Sequence, residues 1–207
     1  MTLSAVEVKK LKQAPPLEGV LPVVLSRWSP RSFADRDVSP ADLRRVFEAA
    51  RWAASSSNEQ PWKFLFGTRN TPTYTKIFEC LVGFNQSWAG SAPVLILGVT
   101  NTKFTHSGVA NGYALYDLGA AASYLTLQAA ALGLSSHQMA GYDHDAARKA
   151  LEIPEDYALG SVIALGYQGE PAALNHEQLI EREVAPRSRK PLDEFVFTAW
   201  GEAADLG

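Results

Sequence analysis

A single cysteine, Cys80, stands in a chain of 207 residues. It cannot close an intramolecular disulfide, and one thiol is too few for a zinc cluster. A chain this long buries roughly 70% of its unfolded surface by packing alone, so no covalent staple is required. The lone thiol fits a reducing compartment, and a cytoplasmic location is the expectation. Basic excess is also missing. The net charge is −3 and the pI is near 5.8, so neither nucleic acid nor a membrane is expected as a partner. The longest uncharged stretch, Leu118 to Leu134, has 17 residues and contains Gly119, Ser123, Thr126, Gln128 and Gly133. It is too polar for lipid and reads as a helix buried in protein. The first fourteen residues carry Glu7, Lys9, Lys10 and Lys12 and lack the apolar core of a signal peptide.

Three motifs are missing as well: the Gly-rich strand-to-helix turn of a dinucleotide fold, the phosphate-binding P-loop and the Gly-x-Ser-x-Gly elbow of a hydrolase. Four scattered histidines offer no metal-ligand set, and Asp143-His144-Asp145 reads as a helix start. No metal is expected.

What is present is a regular alternation of elements, without repeats or linkers, over one domain spanning 1–207. Ser39 is an N-cap candidate, Pro40 suits the first helical position and Asp42 the positive helix end. Leu43, Val46, Phe47 and Ala50 then recur at spacings of three and four, which predicts a helix ending near Ala54. Strands are expected over 62–68, 93–100 and 161–167, with a short extended segment over 134–139 and a late strand over 195–200. Helices are expected over 74–82, 111–132 and 143–151. The alanine-rich central helix suits close approach of another backbone, either a subunit interface or the chain's own interior. The fold class is α+β: a mixed, mostly antiparallel sheet flanked by helices.

Two polar segments carry the chemistry. Arg27-Trp28-Ser29-Pro30-Arg31 offers two guanidinium forks and a hydroxyl just before Phe33. Forked, permanently charged donors suit a phosphate monoester better than lysine does. Ser55-Ser56-Ser57-Asn58-Glu59-Gln60-Pro61-Trp62 offers hydroxyls and carboxamides that can match the alternating C=O and N–H groups of an isoalloxazine edge. Together they suit a ligand with an anionic tail and a polar aromatic head, a description that fits flavin mononucleotide (FMN). Plainer readings stand beside these: solvated arginines near a helix end, and a helix C-cap followed by a loop. Two further segments belong with them. Gly133 to Asp143 has glycines that permit close backbone approach to a flat ligand, and Pro186-Arg187-Ser188-Arg189-Lys190 is a basic cluster.

The ordered set, Arg-x-Ser-x-Arg-x-Phe, Ser-Ser-x-Asn-x-Gln-Pro-Trp, Met-x-Gly-aromatic-Asp and Arg-Ser-Arg, resembles the nitroreductase family from about Val23 to Val196. The resemblance implies an FMN-dependent homodimer with each flavin at the subunit interface. It also implies reduction by NADH or NADPH in a ping-pong cycle, with a small-molecule nitroaromatic, quinone or related conjugated acceptor. Flavin N5 carries the hydride, so no catalytic side chain is expected. By the same resemblance, Arg27, Trp28 and Ser29 lie along the phosphate and ribityl chain. Arg31 reaches the N1/C2 side of the ring, where its charge favours the reduced flavin. Arg187 and Arg189 complete the phosphate cage, and Ser55, Ser56 and Asn58 come from the partner subunit. Asn85 hydrogen-bonds the flavin, and Gln138, Met139 and Gly141 form the segment near N5. Two positions depart from the pattern. Ala54 stands where many relatives have proline, and Ala140 where some have glutamate beside N5. A flavin-binding module or sensor without rapid turnover is the alternative reading.

Overall fold

The computed structural model describes residues 3–206. In chain order the elements are α1 (Ala5–Leu11), α2 (Pro22–Ser26), α3 (Pro40–Arg51), β1 (Trp62–Thr68), α4 (Pro72–Glu79), α5 (Gly83–Ala89), β2 (Val94–Asn101) and α6 (Ala114–Ala131). There follow β3 (Ser135–Met139), α7 (His144–Ala150), β4 (Tyr157–Gly166), α8 (Glu177–Val184), β5 (Phe197–Ala199) and β6 (Glu202–Ala203).

The sheet has the order β1-β2-β4-β3, and every pairing in it is antiparallel. β2 is buried on both faces, and its alternation divides the core in two. Leu95, Leu97 and Val99 point toward Ile77, Trp88 and Met139 on the side covered by α4, α5 and α7. Val94 and Ile96 point toward Val46, Ala50, Ala121 and Leu125 on the side covered by α3 and α6. A helix layer on each face is how a fully apolar strand avoids water.

Local chemistry fixes the ends of these elements. Ser39 Oγ accepts the Asp42 amide at 3.1 Å, and Pro40 opens α3 as expected. α4 lies directly on β1, where a Cβ on Gly67 would come within 2.2 Å of the Tyr74 backbone nitrogen. Leu118 of α6 sits over Gly98 and Gly160, beside a register shift between β2 and β4.

Several elements differ from expectation. The late strand is not part of the sheet: 197–199 pairs only with 202–203 in a separate exposed hairpin. The helix expected over 74–82 is α4, and a second helix, α5, follows it. Helices α1, α2, α5 and α8 were not anticipated; all are short, although α4 and α7, which were expected, are no longer than these. Of the central alanines, Ala121, Ala122 and Ala129 are buried in the protomer's own core, whereas Tyr116, Gly119, Ser123 and Tyr124 face outward.

Candidate functional site

α2 ends at Ser26, and its C-cap Arg27 has an extended backbone and borders Ala130 of α6 and Ser135 and Ser136 of β3. A cavity of about 340 Å³ opens there, lined by Arg27, Ser29, Ser123, Thr126, Ser136 and Gln138. Ser136 and Gln138 are two apart on β3 and so share a face. The Arg27 guanidinium donates to Ser29 Oγ at 3.4 Å, and Ser161 Oγ donates to Gln138 Oε1 at 3.1 Å.

Arg187 and Arg189, near the other end of the polypeptide, do not line this cavity, but both lie within electrostatic reach of Arg27. Burial and the neighbouring Arg189 lower the Arg27 pKa, while burial, Arg189 and Arg27 lower that of Arg187. Among the described residues none of the three forms an ion pair with a carboxylate. Mutually repelling guanidiniums without a counter-charge are arranged for an anion. Arg187 is already partly engaged: its Nη1 donates to the Lys12 and Leu25 carbonyls at 2.7 and 2.8 Å, tying the N-terminal segments together. Arg189 is exposed, and its Nη1 donates to the Ser188 carbonyl at 2.7 Å. Trp28 is half-buried, with the Lys12 ammonium 4.7 Å from its ring centroid.

Arg31 has a buried Nε without a hydrogen-bond partner. Such a donor can take a ligand acceptor as its partner, although Arg69 Nε, Trp88 Nε1 and Asn111 Nδ2 are likewise unpaired among the described residues. Two other predicted segments meet beside each other. Asn85 Nδ2 donates to the Gly141 carbonyl at 2.8 Å, and a Cβ on Gly141 would lie 2.7 Å from that nitrogen. A side chain at 141 would have to displace the Asn85 carboxamide from this position. Met139 is buried in the core, and its neighbour Ala140 is exposed.

Ser55, Ser56 and Asn58 are not part of the Arg27 cavity. Ser55 and Ser56 border a separate space of about 280 Å³ with Tyr113, Tyr116 and Asp117 at the start of α6. Their loop is strained, since Ser57, Asn58 and Gln60 all have φ between 50° and 54°. Buried Asp117 accepts the Ser56 amide at 3.1 Å, and Ser55 Oγ accepts the Gln60 amide at 3.0 Å. Asp117, Lys12, His137 and Glu183 support the predicted groups and were missed. Asp117, Lys12 and Glu183 sit in no motif, His137 lies in the Gly133–Asp143 segment without a role assigned to it, and only the packed structure reveals what each touches.

The nitroreductase family model matches residues 24–71 and 70–167. The chain belongs to the nitroreductase family. An Archaeoglobus fulgidus protein provisionally named NADH dehydrogenase/NAD(P)H nitroreductase is 31% identical over 73% of this chain and 86% of its own length. An NADH dehydrogenase of Thermus thermophilus is 28% identical over 81% of this chain and 98% of its own. A crystal structure of an FMN-containing oxidoreductase superposes with a TM-score of 0.84 at 32% identity, covering 90% of this chain and 95% of that one. Arg187 and Arg189 lie beyond the residues that the family model matches.

Proposed function

We propose that this nitroreductase-family chain is an FMN-dependent oxidoreductase that takes a hydride from NADH or NADPH and passes reducing equivalents to a conjugated acceptor such as a nitroaromatic or quinone. The observation that carries this reading is the proximity of Arg27, Arg187 and Arg189, none of which forms an ion pair with a carboxylate among the described residues. Arg27, Ser29 and Arg189 hold the phosphate, with Arg187 bracing the cage it also helps to form. Trp28 flanks the ribityl chain. Arg31, whose buried Nε has no hydrogen-bond partner among the described residues, would serve the pyrimidine side of the ring. Gln138, Met139 and Gly141 line the other edge with Asn85, which is held against Gly141.

Bound FMN supplies the hydride-transfer centre. The side chains bind and orient it, and no acid is required at Ala140. Donor and acceptor occupy the same cleft in turn, a ping-pong cycle. Two copies of the chain complete the site, because the Ser55–Asn58 loop and the Arg27 cavity are separate spaces within one protomer. The outward face of α6, with Tyr116 77% exposed, and the C-terminal arm, with Trp200 fully exposed, are apolar surfaces suited to that pairing.

Anaerobic mixing of the FMN-loaded protein with NADH or NADPH tests the activity. Prompt loss of the flavin absorbance band is the expected result. A band that persists with both donors would leave a flavin-binding module and remove the enzyme.

A further inference from the structure

Glu183 is fully buried near the end of α8, one turn after buried Leu179, on a face otherwise apolar. A carboxylate taken out of water is costly unless its oxygens are satisfied. Here they are satisfied by one stretch of backbone. The Arg31 amide donates to Oε1 and Oε2 at 3.1 and 2.9 Å, and the Ser32 amide donates to Oε1 at 3.1 Å. Lys12, itself buried, donates from Nζ to the Arg182 carbonyl at 3.3 Å and to the Ala185 carbonyl, fixing the end of α8. The other side of the same turn is held too. His137 Nδ1 lies 3.0 Å from the Pro30 carbonyl, and its ring packs on Trp88 at 4.6 Å between centroids. The Arg31 guanidinium lies over that indole at 6.0 Å.

We propose that Glu183 and His137 form a clamp on the Pro30–Ser32 turn and act as positioning residues that aim the Arg31 guanidinium at the ring of bound FMN. The proposal rests on the FMN reading above. Neither residue touches the cofactor. Glu183 grips the two amides and His137 the preceding carbonyl, so the turn has one orientation and the Arg31 side chain leaves it in a fixed direction. Charge and position make opposite predictions for Glu183. Removing a buried negative charge near a cationic site would, by charge alone, tighten an anionic ligand and raise its midpoint potential. Releasing the turn does the reverse, because Arg31 is no longer held where it stabilises the reduced ring.

Glu183→Gln separates the two. FMN affinity of the apoprotein, read by fluorescence titration, is expected to weaken about tenfold, the scale of a lost hydrogen bond to a charged group. A tenfold preferential loss for the reduced ligand corresponds to a shift of about 30 mV to more negative midpoint potential for a two-electron couple. Neither change should appear when Glu183→Gln is added to Arg31→Ala. Tighter FMN with a more positive potential, or unchanged values, overturns the clamp. So does an equal loss in the Arg31→Ala background, which would mark general support of the fold. If Glu183→Gln does not fold, His137→Phe releases Pro30 while keeping a ring on Trp88, and the same expectations and contradictions apply. Failure of the unsubstituted protein to bind FMN would instead remove the cofactor reading, and the clamp with it.

Discussion

At the scale of single residues, the site is a balance between cations left unpaired and buried groups that hold them there. His137 shows the cost of that support. Burial and the nearby Arg31 lower its pKa to about 4, so it stays neutral in the folded protein while an unfolded chain protonates near 6.5. The folded pKa lies below the unfolded one, so acidification is taken up by the unfolded state first. Stability is therefore lost as pH falls from about 6.5 toward 4. His137→Phe should show a smaller loss between pH 7 and pH 4.5 than the unsubstituted protein, by about 2 kcal/mol on the linkage scale. Urea unfolding at both pH values measures it, and equal losses would mean that His137 titrates normally. Arg27, Ser29 and Arg31 stood out by spacing and donor chemistry, and only the family resemblance gave them roles. Glu183 and Lys12 could not, because a buried acid on a short helix has the same sequence appearance as a solvated one.

At the scale of elements, the helices and strands that lie on the sheet have clear sequence causes. β2 reads as a fully apolar run because α3 and α6 cover one face and α4, α5 and α7 the other. α3 starts where Ser39 and Pro40 require. The separation between α4 and β1 is set by Gly67, whose missing Cβ admits the Tyr74 backbone. Because backbone cannot yield as a flexible side chain can, Gly67→Ala should destabilise the protein by about 3 kcal/mol, the upper range for overpacking. Chemical denaturation checks this, and a change below 0.5 kcal/mol would show that the two elements separate freely. Short helices were the part of the fold that the sequence concealed. α1, α2 and α8 have seven, five and eight residues, over which a hydrophobic stripe hardly repeats, whereas α7, equally short, was legible from its Asp143 helix start. The terminal hairpin was legible as extended chain, but its partner was not, because local patterning does not say which sheet a strand joins.

At the scale of the whole molecule, the order of motifs carried more than any motif did. Arginines near residues 30 and 190 are distant along the chain, and only their shared resemblance to one family placed them together. In the structure they are electrostatic neighbours. The outer surface bears on the dimer proposed above. Leu192, Phe195, Phe197 and Trp200 are all exposed on an arm whose hairpin pairs only with itself. Removing residues 192–207, which leaves Arg187 and Arg189 in place, should shift the protein to monomer in sedimentation velocity. A persistent dimer would assign the interface to α6 without the arm.

The convergence of cations from both chain ends on one phosphate is tested most directly by the FMN dissociation constant of an Arg27→Ala/Arg189→Ala double variant, measured by equilibrium dialysis. Two charge-assisted contacts at about 1.5–3 kcal/mol each predict a weakening of about a hundredfold or more. An affinity equal to that of the unsubstituted protein would place the phosphate elsewhere and contradict the account.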